Sequence, residues 1–276
     1  MKMEPVLYQW HFDLPVVLFI AALTLLYYKL GALKRGKNTW LFTVAMSLFI
    51  IAEFSPLHYL GMHYYFSAHM LSHVILLLVC GPLFTMAFPA DLPSKWQKAV
   101  TSFSAIMGQH SWMAWIAGVG VMWFWHIPAV FDAALSSMSA ITLIPLLHAL
   151  TMLVAGMLFS WPLFGPFSRY HVHPGIGIVY LFTACISCSV LGLLITFAPL
   201  NTWHHYQLMD QEMGLSAGWQ ISRAADQQAA GLIMWVPCCF VYLSGCIFLL
   251  WQWFTEVNVA DNHDTIKLDS SIQKHD

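Results

Sequence analysis

Long apolar stretches alternate with short polar breaks along almost the whole chain. A helix needs roughly 17–25 apolar residues to cross a bilayer. Runs of that kind occupy 14–33, 40–60, 67–88, 112–131, 140–164, 175–198 and 226–254. None shows the two-residue alternation of a barrel strand, and lipid admits only elements that satisfy their own backbone hydrogen bonds. The pattern predicts an all-α fold, a polytopic membrane bundle of about seven transmembrane helices. Short connections predict antiparallel neighbours. The last run exceeds a minimal span and is expected to tilt or project. Pro82, Pro145 and Pro237 fall inside the third, fifth and seventh runs. Each removes a backbone donor and frees a carbonyl, giving either a kink or a carbonyl offered to a site. Residues 1–254 read as one transmembrane domain, and 255–276 as a polar, flexible cytoplasmic tail.

Composition narrows the class. The 276 residues are 59% hydrophobic and 9% charged, against about 25% charged in soluble domains. No Lys/Arg-rich run marks a nucleic-acid partner; membrane lipid is the expected surroundings. The first run does not read as a cleaved signal peptide. Glu4, His11 and Asp13 precede it in place of a basic region, and Tyr27-Tyr28-Lys29 follows in place of small residues. Of the 11 Lys and Arg residues, an N-out, C-in orientation leaves only Lys2 and Arg223 outside the cytosol. The reverse orientation inverts that bias, so the positive-inside rule selects N-out.

Candidate chemistry lies in the 14 histidines. In the N-out topology His11, His58, His63, His69, His73, His126, His204 and His205 fall near the outer side, with His148 in the outer half of the fifth run. His69 and His73 stand four apart in Ser67-Ala-His-Met-Leu-Ser-His73, which puts both imidazoles on one helix face at a spacing a metal can bridge. Ionisable residues at membrane depth are costly and concentrate at functional sites. His126 precedes Pro128, where the fourth helix is expected to end. His148 and Met152 form another i, i+4 pair, and imidazole with thioether suits Cu(I). Asp226 opens the seventh run. It can complement the helix dipole, orient a ligating histidine, or act as a ligand itself. Glu53 is an intramembrane carboxylate with no evident partner.

The six cysteines all lie in apolar segments, against a secreted disulfide framework. Cys185 and Cys188 form a CxxC without a second pair, and small thiols also permit close helix packing. No P-loop, GxSxG, HExxH or Cys-x-x-Cys-His occurs. A b-type haem between two histidines competes with copper, because haem needs only axial imidazoles on facing helices.

Four stretches together are similar to a known family. They are Ser55-Pro-Leu with Phe66-Ser-Ala-His-Met-Leu-Ser-His73; Trp125-His-Ile-Pro128 with Phe131-Asp132; His148 through Trp161-Pro162; and Asp226-Gln through Met234-Trp-Val-Pro237. In order and placement the chain resembles the CtaG family of cytochrome c oxidase assembly factors, the membrane-embedded type associated with caa-type oxidases. That name is shared with an unrelated single-span copper chaperone, which this chain does not resemble. The resemblance implies a bacterial cytoplasmic-membrane protein that helps mature a haem–copper oxidase at the copper-insertion step, with oxidase subunits as partners.

Spacing and resemblance lead to one expectation: a non-catalytic assembly factor in which His69, His73, His126 and His148 converge near the outer leaflet to hold copper. Asp226 would serve as orienter or further ligand. The rivals are a bis-histidine haem or quinone-linked electron-transfer protein, a copper transporter, and a scaffold without a metal.

Overall fold

The computed structural model describes residues 10, 12–30, 38–138, 143–206 and 221–272. His11, His275, Lys2, Lys34, Arg35, Lys37 and Lys274, used above for orientation and histidine placement, lie outside them. Among the described residues every regular element is helical: α1 (Leu14–Lys29), α2 (Thr39–Phe54), α3 (Pro56–His63), α4 (Phe66–Ala87), α5 (Ser94–Gln109), α6 (Ser111–His126), α7 (Pro128–Met138), α8 (Leu143–Phe164), α9 (Pro174–Phe197) and α10 (Arg223–Ile272), with a 3-10 turn at Ser168–Tyr170.

Four helices, α4, α8, α9 and the Arg223–Thr255 part of α10, are long and apolar enough to cross a membrane. The number rises to 6 if two bent pairs each count as one span. The remaining expected span corresponds to α1, an apolar helix of only 16 residues.

Proline explains both bent pairs. The run at 40–60 breaks between α2 and α3 with a 40° bend. Ser55 before Pro56 is extended, with ψ 169°, and its hydroxyl accepts from Leu57 N at 3.2 Å. A residue before proline is pushed out of the helical region, while proline itself suits a helix's first position. The same logic ends α6 at His126 and starts α7 at Pro128, turning the chain by 70°. The other prolines act differently. Pro145 sits in the first turn of α8, where a missing N–H costs nothing. Pro82 follows a single stretch of π-helix, Ile75–Cys80, that keeps α4 continuous. Pro237 lies within an unbroken α10, whose backbone stays helical through the polar residues after Thr255.

One element escaped the hydropathy pattern. α5, between the third and fourth runs, is amphipathic, with Ser104 and Met107 buried and Lys95 and Trp96 outside. It docks on the end of α8 through Trp161 Nε1–H donating to Ser104 Oγ at 3.0 Å. Lys95, Lys98 and Arg169 gather at this end of the bundle, opposite the buried histidines of α4 and α8.

Two close crossings set the helix register. A Cβ on Gly81 of α4 would lie 2.5 Å from the Gly156 carbonyl carbon of α8, so the two backbones touch. Thr85 Oγ1 donates to Met157 O at 3.2 Å and accepts from Ser160 Oγ at 2.8 Å beside this contact. Between α9 and α10, Gly231 packs against Gly192, and Gln227 Nε2 donates to Ile195 O and Ala198 O at 3.0 and 2.7 Å. Those bonds satisfy the last carbonyls of α9, which lipid would leave unpaired.

Candidate metal centre

The crossing at Gly81 and Gly156 has a direct effect on chemistry. His73 lies eight residues before Gly81, and His148 eight residues before Gly156. At 1.5 Å per residue both histidines sit about 12 Å along their helices from the shared contact. They meet at one level, with His73 Nε2 2.7 Å from His148 Nε2. His69, one turn earlier on α4, joins them; one nitrogen from each of the three rings lies within 4.8 Å of the others. All three side chains are buried.

The surroundings fix these rings. Trp125 of α6 packs edge-on to His148 at 5.0 Å and anchors its indole N–H on Thr151 Oγ1 at 3.0 Å. Phe131 of α7 packs edge-on to His69 at 5.3 Å. Phe131 also meets Phe66, which contacts Trp203 and Tyr206, closing the site from above with aromatic side chains. Gly61 of α3 lies against the backbone of His69, where a Cβ would come within 2.9 Å of its N and Cα.

His73 Nδ1 has no hydrogen-bond partner among the described residues. A neutral imidazole carries one N–H, and His73 and His148 face each other through Nε2, so one of these two atoms donates to the other. An ion drawing on these nitrogens would replace that shared proton by a shift of tautomer. Bonds of about 2.0–2.1 Å to imidazole require the two nitrogens to separate slightly, a movement that side-chain rotation supplies.

The fourth expected ligand sits beside the cluster. The His126 ring packs edge-on to His73 at 5.1 Å. Its Nδ1–H donates to Met122 O and its Nε2 faces Met70 Sδ at 3.1 Å. Met152, paired with His148 in the sequence pattern, is fully buried among apolar neighbours.

Asp226, expected as a ligand or orienter, lies outside the three-histidine group and bonds the start of α4. Its carboxylate accepts from Phe66 N at 2.8 Å, Ser67 N at 3.1 Å and the Ser67 hydroxyl, and it lies 3.7 Å from Arg223 Nη1. It caps α4 from another helix, satisfying first-turn N–H groups and opposing the positive end of the dipole. Arg223 also donates to Tyr64 O, pinning the residue before that cap. The cap holds the turn that carries His69. Asp226→Asn puts an amide donor against backbone donors. It is expected to lower the unfolding temperature through loss of a helix cap worth about 0.5–2 kcal/mol; calorimetry in detergent measures it.

A second carboxylate closes the same end. Asp132 of α7 accepts from His204 N and His205 N, each at 3.1 Å, and His205 Nε2–H donates to Met62 O at 3.1 Å. Burial holds His205 below the ordinary histidine range, with the Met62 hydrogen bond opposing that shift. A depressed folded value means that acid favours the unfolded chain. The stability of the buried neutral ring is therefore full above about pH 6.5 and falls as pH drops toward the folded value. His205→Gln, which can keep a donor to Met62, is expected to flatten that acid slope in thermal unfolding measured from pH 7 to 5.

Cys185, Cys188, Cys238 and Cys239 lie together where α9 and α10 meet, while Cys80 sits on α4 against Ala45 of α2. Cys185 Sγ is 3.5 Å from Cys239 Sγ, and Cys188 Sγ is 3.4 Å from Met122 Sδ. All six thiols are free. Glu53 is buried on α2 and does not belong to the histidine cluster.

The family model for the cytochrome c oxidase caa3 assembly factor (Caa3_CtaG) matches residues 17–256. The chain belongs to this family. The match takes in every helix that contributes to the histidine cluster, and the Asp226 cap as well. The chain has no significant match among curated proteins or among solved structures. Membership makes the protein a cytochrome c oxidase assembly factor, and its long apolar helices suit one that resides in a membrane.

Proposed function

We propose that this assembly factor holds a copper ion on His69, His73 and His148 and delivers it to an oxidase subunit during maturation of the haem–copper enzyme. The observation that carries the reading is the convergence of three buried imidazole nitrogens within 4.8 Å, inside a chain whose family serves an enzyme that needs copper. Imidazole is a good copper ligand, and burial in an apolar shell limits competition from water. Copper is cargo here, so the site must release it, and three ligands leave a position open for exchange.

Sidedness follows from charge. Lys95, Lys98 and Arg169 lie at the end away from the histidines, so the positive-inside rule directs the histidine end to the outer face of the bacterial cytoplasmic membrane. Delivery then occurs on that face, and the protein performs no chemistry on a substrate of its own.

Ring packing favours an ion over haem. The His69, His73 and His148 centroids lie 4.4–5.6 Å apart, in direct mutual contact. A porphyrin between two axial imidazoles would have to part them. The test is made in cells. His69→Ala with His73→Ala should leave the assembly factor in the membrane while the oxidase accumulates with depleted copper. Oxidase of full copper content beside normal amounts of the variant would overturn the reading. A Soret band in the purified wild-type protein would favour the haem alternative.

A further inference from the structure

The contact between His126 and Met70 has an unusual chemical character. His126 Nδ1–H donates to Met122 O, which assigns the ring's single proton to that nitrogen. Nε2 therefore presents a lone pair, and it is aimed at Met70 Sδ, 3.1 Å away. A thioether has no proton to offer, so this contact is not a hydrogen bond in the neutral ring. Protonating Nε2 would create one only by placing a full charge inside the apolar bundle. Both side chains are buried, Met70 at 0% exposure and His126 at 3%. One soft and one borderline donor thus lie in direct contact with no proton between them.

His126 adjoins both the trihistidine cluster and an opening. Its ring packs edge-on to His73 at 5.1 Å. The same residue lines a groove of about 690 Å³ at the bend from α6 to α7, walled by Trp123, Ile127, Pro128, Leu194 and Trp203. Among the four histidines of the region, His126 is the one that borders this groove.

We propose that Met70 Sδ and His126 Nε2 form a second metal site, selective for Cu(I), through which copper exchanges between the trihistidine cluster and the groove. The proposal rests on the reading of that cluster as a copper holder. A thioether with an imidazole suits Cu(I), while Zn(II) takes Cys thiolate, His and carboxylate donors and not the methionine thioether. Exchange proceeds by substitution of ligands. Bonds to His73 and its partners break as bonds to Nε2 and Sδ form, the ion stays Cu(I), and each neutral imidazole keeps one N–H throughout. A partner bringing its own donors into the groove completes the coordination and takes the ion.

The test uses the full chain in detergent under anaerobic conditions, titrated with Cu(I) and separately with Zn(II). Met70→Leu conserves volume and removes only the sulfur. The variant is expected to bind one Cu(I) fewer than wild type and to bind Zn(II) unchanged, which also reports that it is folded. Equal Cu(I) binding by the two proteins would overturn the second site and leave the trihistidine site standing. Absence of metal binding by wild type would overturn both. An independent measurement uses protein grown on selenomethionine. X-ray absorption should show a selenium neighbour for copper that Met70→Leu removes, and a spectrum of the labelled wild type without selenium at copper would overturn the proposal whatever the variant does.

Discussion

His148→Ala is expected to reduce Cu(I) affinity by about 100-fold or more, roughly 2.7 kcal/mol of binding free energy, while the protein remains folded. His148 is the ring that α8 contributes to the trihistidine cluster, and its Nε2 is 2.7 Å from His73 Nε2. Without it the cluster keeps only the two histidines of α4, which share one helix face. Alanine is smaller and opens a cavity beside Trp125 and Ala149, costing about 1–3 kcal/mol of stability. The substitution also takes the Nε2 partner from His73, whose Nδ1 already has none among the described residues, which adds to that loss. Competition against a Cu(I) chelator measures the affinity, and thermal unfolding measures the stability. Affinity within a few-fold of wild type would remove His148 from the site.

Gly156→Ala is expected to damage the same site from eight residues away. A Cβ at Gly156 would fall 2.4 Å from Leu77 O and 3.2 Å from Gly81 Cα, and both of these are backbone atoms of α4. They cannot rotate aside as a side chain would, so the two helices must separate. Overpacking of this kind costs about 1–3 kcal/mol and sometimes more, and here it pries His73 from His148. The expected result is a lower unfolding temperature together with weaker copper binding. Gly120→Ala is the control. Its Cβ would meet nothing nearer than the Ile116 Cγ2 at 4.0 Å, so copper affinity should not move and the unfolding temperature should rise slightly with the gain in helix propensity. Gly156→Ala with intact copper affinity would show that the crossing does not set the distance between the histidines.

The sequence revealed the parts of this architecture that depend on local periodicity. Apolar runs located the long helices because lipid-facing and buried positions are both apolar, which makes a span visible without knowing its neighbours. His69 and His73 were recognisable as a pair because helical geometry alone brings i and i+4 together. Charge polarity pointed to one end of the bundle, where the histidines do gather. The breaks at Pro56 and Pro128 follow from local backbone sterics, although hydropathy alone ran straight through both.

What stayed hidden depends on contacts between helices distant in sequence. Met70 stands next to His69 and looks like ordinary packing; its partner His126 is 56 residues away. His148 with Met152 offered a more regular spacing for a soft site, yet helix rotation turns Met152 into the apolar core. Asp226 was noticed, but its partners Phe66 and Ser67 lie about 160 residues earlier, so no local pattern could distinguish a remote cap from a ligand. Gly81 and Gly156 carry no chemistry, and their importance exists only once the two backbones touch. α5 has too many polar residues to register as a span, and its helical repeat buries only one face.

The Asp226 cap also sets an order of events during synthesis. The turn bearing His69 is completed by a carboxylate made 160 residues after Phe66. At about 5–20 residues per second, a ribosome needs roughly 8–30 s to make that stretch. Throughout that interval the histidine helix has no Asp226 to hold its first turn. A nascent chain therefore carries its trihistidine cluster on an uncapped helix until its last helix has inserted, and a truncated product without that helix would keep the cluster but lose the cap.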